Sequence, residues 1–263
     1  MAAAALSMVQ LPLDNRRLAA FAASQSLSAD LTRGDGGYVG HALLTALFGA
    51  MAPQPFAIRP RAGTPGAIDL LAYSHHPLEA LRATAELTAL PVPLAAIDWV
   101  DAADKRMPLP LPAGMALGFQ VRACPTIRMA RGATRKHPGA EVDAFLAAID
   151  QAEAEAAAAG TDDTERPFVD RQAVYGQWLT TRIPGAAVTA VRLAGFRHSD
   201  ISRRGTGPKE SPRPLISIQK PDALFEGLLT VTDSALFAAT VARGVGRHRA
   251  FGFGMLLLRP VAR

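Results

Sequence analysis

The chain has 263 residues, 49% of them hydrophobic, with one cysteine and a formal net charge of +5. That is apolar material for one large core or two small ones. No run of about 18 apolar residues is present to span a bilayer, and lone Cys124 excludes an internal disulfide and cannot build a zinc site by itself.

The first elements follow from hydrophobic pattern. Leu6 to Leu13 reads as a strand and is followed by a loop. Residues 36–51 then read as a helix. At about 100° per residue, Val39, Leu43, Leu44, Leu47, Phe48 and Met51 share one face, and Tyr38, His41 and Thr45 fall on the opposite one. The stretches "QPFAIRP" and "GAIDLLAYS" read as strands, separated by the turn residues Gly63, Pro65 and Gly66. A helix from Pro77 to about Leu87 follows, with Pro in its first turn, and then a last extended piece at "PLAAIDWV". The order β-α-β-β-α-β is that of a ferredoxin-like unit, assigned to residues 1–104.

"AADKRMPLPLPAG" packs three prolines into five residues and reads as a linker. A second unit, 112–263, begins with the strand "MALGFQVRACPTIRMA" and the basic loop "RGATRKHPG". Next come an acidic, Ala-rich surface helix at residues 140–159 and a helix "DRQAVYGQWLTTRI" with a core stripe of Ala173, Val174, Trp178 and Leu179. "AVTAVRLAGFRHSDISRRGTGPKESPRPLISIQ" reads as two strands joined by a long basic tip. The strand "LFEGLLTVTD", the helix "SALFAATVARG" capped near Asp233, and the strand "AFGFGMLLLRPV" close the chain as β-α-β. The fold class is α+β, two similar units joined by a Pro-rich linker.

Charge is uneven along this order. From residue 186 onward there are 12 Lys and Arg against 5 Asp and Glu, so the remainder is slightly negative. Such a basic third suits a polyanion such as nucleic acid, and equally a solvated basic surface. The N-terminus lacks a basic region before its apolar residues, so no secretory signal is expected, and with one cysteine a reducing cytoplasm is the expected setting.

The turn "GVGRHRAFGFG" contains a G-x-G, but it follows a helix and opens the last strand, the reverse of a dinucleotide loop. It reads either as a tight turn whose glycines admit a phosphate backbone beside Arg247, His248 and Arg249, or as a plain connection. No H-E-x-x-H, C-x-x-C or G-x-x-x-x-G-K-[ST] motif occurs, so neither a metal nor a nucleotide cofactor is expected. His75, His76, His137, His198 and His248 lack the placement of His41 beside Tyr38.

"LFEGLLTVTDSALFAATVARGVGRHRAFGFGMLLLRP" resembles the C-terminal signature of the CasE family, the CRISPR repeat-RNA-processing endoribonucleases of type I-E systems. "GYVGHALLTALF" is similar to that family's first helix, and "RACPTIRMARG" and "VRLAGFRHSDISRRG" follow in its order. The resemblance implies two tandem ferredoxin-like domains and a CRISPR repeat stem-loop as substrate. It also implies cleavage without metal or cofactor, and retention on the product with other Cascade subunits, with no membrane involved. It assigns Tyr38 and His41 to the catalytic positions. RNA contacts are expected from Arg197, Arg203, Arg204 and Lys209 of the basic hairpin, from Arg128 and Arg131, and from Gly244, Gly246, Arg247 and Arg249. Arg249 stands where the family commonly has Lys, exchanging a point charge for a planar fork.

Metal-free RNA cleavage uses the RNA's own 2′-hydroxyl as nucleophile and leaves 5′-hydroxyl and 2′,3′-cyclic phosphate ends. Histidine suits the proton transfers, its ordinary pKa being about 6.5. Tyr38 can hydrogen-bond the phosphate or orient the ribose, and the helix N-terminus with Gly34, Gly36 and Gly37 offers N–H groups to an anion. The competing readings are a non-catalytic RNA-binding subunit of the same fold and, against the basic third and the missing cofactor motifs, a small-molecule enzyme on this scaffold.

Overall fold

The computed structural model describes residues 5–27, 36–61, 63–128, 140–159, 168–204 and 215–261, with residues 202–204, 215 and 216 described by their main chain only. Strand β1 (Ser7–Leu13) runs into helix α1 (Asn15–Ser24), where the sequence reads as a loop. The Asp14 carboxylate caps this helix by accepting from the N–H groups of Arg16 and Arg17. Leu18, Phe21 and Ala22 then fall on its buried face at helical spacing.

Helix α2 (Gly36–Phe48) buries Val39, Leu43, Leu44, Leu47 and Phe48, as the periodicity predicts, and gives way to a 3-10 turn at Gly49–Met51. Strands β2 (Phe56–Pro60) and β3 (Ile68–Ser74) form the expected hairpin, followed by α3 (Leu78–Thr88). The last strand differs from expectation. "PLAAIDWV" supplies the short helix α4 (Pro91–Ala95) and a single bridge from Ile97 to Leu13. The paired strand is β4 (Ala103–Arg106), within the stretch read as linker. All four of its side chains are exposed, so no apolar alternation marks it in sequence. The sheet order β2-β3-β1-β4 is that of a ferredoxin-like unit, antiparallel throughout.

The second unit repeats this plan. Strand β5 (Ala116–Ala123) stops at Cys124-Pro125, where proline cannot donate to a ladder, and the predicted single strand resumes separately as β6 (Thr126–Arg128). That short strand pairs with β7 (Glu141–Asp143), so the predicted acidic helix starts later, as α5 (Ala144–Ala158) capped by Asp143. In α6 (Arg171–Thr180) Trp178 and Leu179 are buried and Val174 packs partly buried against the core, as predicted, whereas Ala173 is exposed and Tyr175 and Gly176 join the buried face.

Strands β8 (Ala186–Arg204) and β9 (Leu215–Val231) form one long hairpin. The two strands predicted on either side of Pro221 are a single strand, paired on one side with β8 and on the other with β5. Helix α7 (Ser234–Arg243) and β10 (Leu257–Pro260) complete the order β10-β5-β9-β8. The fold is therefore α+β, with two tandem ferredoxin-like units. Among the described residues no helix is long and apolar enough to cross a membrane.

Two cores result. Val9, Leu11, Leu70 and Ala72 of the first sheet pack with Leu43, Leu44, Leu47 and Leu81. Phe119, Val121, Phe225 and Leu229 of the second pack with Tyr175, Trp178, Phe237 and Val241. Tyr73 of β3 belongs to the second core, and its hydroxyl donates to the Leu256 carbonyl at 2.7 Å, tying the two units together. Replacing Tyr73 by Phe strands that buried carbonyl. The expected cost is about 1–2 kcal/mol in unfolding free energy, read from denaturant titration.

Candidate functional site

The site forms where the glycine-rich turn lies on the first turn of α2. A Cβ built on Gly37 would sit 2.1 Å from the Phe251 carbonyl oxygen, and one built on Gly252 would sit 3.7 Å from the Gly37 Cα. The two backbones thus meet at a distance that only glycine permits at position 37. This approach carries the Phe251 ring over α2. It stacks on Tyr38 with centroids 6.1 Å apart and planes at 11°, and meets His41 edge-on at 5.4 Å and 64°. Tyr38 and His41 are 6.3 Å apart.

Tyr38 and His41 are consequently half-buried, whereas helical spacing alone turns them to solvent. Burial lowers the His41 pKa below its ordinary 6.5, so the imidazole is neutral at neutral pH and able to accept a proton. Gly36 and Gly37 are buried, and the space beside Gly37 is filled by the turn itself, where the sequence reading expected an anion. Gly34 lies outside the described residues.

The turn is anchored by a second cluster. His248 has left-handed backbone angles, φ 59° and ψ 28°. Its Nε2 lies 2.8 Å from the Glu141 carboxylate of β7. Thr126 Oγ1 also donates to that carboxylate, Lys220 approaches within 3.5 Å and Arg247 within 3.8 Å. Burial would raise the Glu141 pKa, but the hydrogen bonds from His248 and Thr126, with the charges of His248 and Lys220, hold it at about 2. Glu141 is therefore an ionised acceptor, and His248 Nε2 carries the shared proton.

Cys124, Glu141 and His248 bring a sulfur, an oxygen and a nitrogen within 4.8 Å of one another, the one such set among the described residues. Two features oppose a metal ion there. Lys220 and Arg247 already flank the carboxylate, and burial and the Glu141 charge push the Cys124 thiol up to about 12.

A third cluster centres on Asp222, only 4% exposed. Arg122 grips it through two hydrogen bonds of 2.7 and 2.8 Å, and Arg197 and Ser199 donate to its Oδ2. Burial would raise the Asp222 pKa, but the Arg122 ion pair and the other donors keep it below its ordinary value. The Arg122 guanidinium also lies 4.5 Å from the centroid of the Phe253 ring. A cleft of about 500 Å³ opens here between β2 and the second sheet, lined in part by Arg59, Arg122 and Arg197.

The other candidate residues are placed as follows. Arg197 bonds Asp222 with half of its side chain exposed. Arg249 donates to the Arg243 carbonyl at 2.8 Å, and Arg247 flanks Glu141. The space beside Gly244 is taken by Pro55 and the Gly254 carbonyl, and that beside Gly246 by Trp178, so these glycines serve the packing of the turn. Arg128 is exposed at the end of β6. Arg203 and Arg204 pair by main chain with Ile216 and Leu215 at the far end of the hairpin. Arg131 and Lys209 lie outside the described residues. Phe251, Glu141, Arg122 and Asp222 are missing from the sequence-based set. The one local signal was the alternation that puts Arg122 and Asp222 on opposite strand faces from their apolar neighbours.

Residues 6–260 match the family model described as "CRISPR associated protein". No curated protein matches. Among solved structures, the chain is similar to a CRISPR endoribonuclease Cse3 bound to a 19-nucleotide RNA. Identity there is 20% over 97% of this chain and 100% of that one, with a TM-score of 0.60. For Thermus thermophilus Cse3 bound to an RNA representing a pre-cleavage complex, identity is 18%, coverage 97% and 100%, and the TM-score 0.61. A chain of a CRISPR RNA-guided surveillance complex is 17% identical, with the same coverages and a TM-score of 0.53. These likenesses establish a shared fold.

The close approach at Gly37 is directly testable. Gly37→Ala adds helix propensity but forces the turn off α2, and a net loss of about 1–2 kcal/mol is expected in thermal or chemical unfolding. A gain in stability would show that the turn does not lie on the helix.

Proposed function

Because the chain belongs to the CRISPR-associated protein family over residues 6–260, we propose that it is a metal-independent endoribonuclease that cleaves the stem-loop repeat of CRISPR precursor RNA. In this reading it stays on its product as a subunit of the surveillance complex. The observation that carries the proposal is the convergence of Tyr38, His41 and the Phe251 turn into one half-buried corner. Support comes also from the fold shared with Cse3, a CRISPR endoribonuclease bound to RNA, and with a chain of a CRISPR RNA-guided surveillance complex.

The chemistry follows from the side chains. His41, neutral because it is desolvated, accepts the proton of the ribose 2′-hydroxyl. The 2′-oxygen attacks the adjacent phosphorus in line, forming the O2′–P bond as the P–O5′ bond breaks. The departing 5′-oxygen takes up a proton from solvent, leaving a 5′-hydroxyl and a 2′,3′-cyclic phosphate. Tyr38 donates a hydrogen bond to the phosphate, where negative charge is concentrated. The A-form stem is gripped by shape and phosphate contacts from the basic hairpin, since its deep groove hides the bases.

His41→Ala is expected to reduce single-turnover cleavage of a repeat hairpin in EDTA by at least about 10²-fold, with binding changed only a few-fold. Tyr38→Phe should slow cleavage less. Tight binding without cleavage by the unaltered chain would favour a non-catalytic RNA-binding subunit. Replacing Arg203 and Arg204 together by Ala should weaken hairpin binding. It should also flatten the log–log salt dependence by up to about two units, at roughly 0.7–0.9 per lost phosphate contact, and leave the saturated cleavage rate nearly unchanged. An unchanged slope would mean that the RNA lies elsewhere.

A further inference from the structure

We propose that the Glu141–His248 pair is a clasp that holds the glycine-rich turn closed on α2, which makes Glu141, His248 and Phe251 positioning residues for the Tyr38–His41 site. The proposal rests on the endoribonuclease reading above and adds what keeps that site assembled.

The path from clasp to site is short. Glu141 stands on a firm base. Its strand pairs with β6, whose Thr126 carbonyl accepts from the Trp178 indole N–H at 3.0 Å. The neighbouring Asp143 accepts from the Tyr175 hydroxyl at 2.8 Å in the buried core. From this platform the ionised carboxylate reaches 107 residues along the chain to His248.

His248 needs holding. A positive φ is uncommon for a residue with a Cβ and persists only where the surroundings impose it. The bond to Glu141 holds the side chain from one side, and the Phe251 ring lies beside it with centroids 6.4 Å apart. The His248 carbonyl in turn accepts the Phe251 N–H at 2.8 Å, so only Arg249 and Ala250 separate the clasp from the ring that covers Tyr38 and His41.

The base of the turn has its own attachments. Gly254 N–H donates to the Arg122 carbonyl at 2.7 Å, and Val245 N–H to the Gly254 carbonyl at 2.8 Å. Loss of the clasp therefore loosens the tip, including Phe251. The tip keeps the Arg249 bond to the Arg243 carbonyl at the end of α7, while α7 and β10 on either side stay in place. Where Glu141 is the residue replaced, Lys220 and Arg247 are also left with no carboxylate between them. The tip then moves away from α2, water reaches His41, and the rings lose their fixed geometry. Displacements of about 1 Å at a reacting group can cost 10²-fold in rate.

The test uses the full chain and three readouts: single-turnover cleavage at saturating enzyme, hairpin affinity, and the titration midpoint of the His41 imidazole by NMR. Glu141→Ala and His248→Asn break the clasp from its two sides, since neither short side chain spans the 2.8 Å contact, and Phe251→Leu removes the ring. Each should lower the cleavage rate by about 10-fold or more with affinity held within about threefold. Each should also move the His41 midpoint upward toward its ordinary 6.5. Phe251→Tyr, which keeps the stacked ring, should retain most activity. The double variant E141A/F251L should be no slower than the slower single variant, since both act through one element. Multiplying effects, or a Glu141→Ala enzyme with unchanged rate and midpoint, would overturn the clasp. Should Glu141→Ala not fold, His248→Asn decides by the same measures. Should the unaltered chain not cleave, the endoribonuclease reading fails, and the midpoint shift alone decides whether the clasp exists.

Discussion

The site depends on one steric fact: the first turn of α2 carries no side chain at Gly37, where the Phe251 main chain lies. A methyl group there would overlap a backbone oxygen, and backbone cannot swing aside as a side chain can. Because the space is open, a turn from the end of the second unit can rest on a helix of the first. Everything chemical at the site follows from that contact. It half-buries Tyr38 and His41, lowers the imidazole pKa, and gives two residues of one helix a third wall. Left open to water on that side, the same helix would offer an ordinary histidine.

Two carboxylates, Glu141 partly buried and Asp222 fully buried, organise the charge around this contact. Glu141 gathers His248, Lys220 and Arg247, and Asp222 gathers Arg122 and Arg197. An isolated carboxylate at either place would be costly to bury, and the cations offset that cost. The arrangement also serves the basic surface. A guanidinium fixed on a buried acid keeps its outer N–H groups in a defined direction, with less rotamer freedom to lose when a phosphate arrives. Arg197, bonded to Asp222 yet half-exposed, has this character.

Much of the fold was legible because its periodicities are regular. Leu43, Leu44 and Leu47 mark the buried face of α2, and the β-α-β-β-α-β order of the first unit follows from strands and turns that obey their patterns. The departures have local causes. Strand β4 is an exposed edge with no apolar alternation, so it hides in a proline-rich stretch. Helix α1 hides behind two arginines in its first turn, although Asp14 is a plain capping signal. Pro221 reads as a break, yet β9 runs through it. Tyr38 and His41 were singled out by spacing and family resemblance together. Phe251 and Glu141 were not, because their partners lie more than 100 residues away and no local pattern encodes such a contact. Glu141 was absorbed into the acidic helix that follows it.

In the proposed reaction this corner activates the RNA's own 2′-hydroxyl. The most direct measurement compares a repeat hairpin with one carrying a single 2′-deoxy substitution at the scissile nucleotide, under single-turnover conditions with binding measured in parallel. Equal binding and no detectable cleavage of the deoxy substrate are expected. Cleavage of that substrate at a rate near that of the all-ribose hairpin would contradict the proposed reaction, since the attacking oxygen would then have to come from elsewhere.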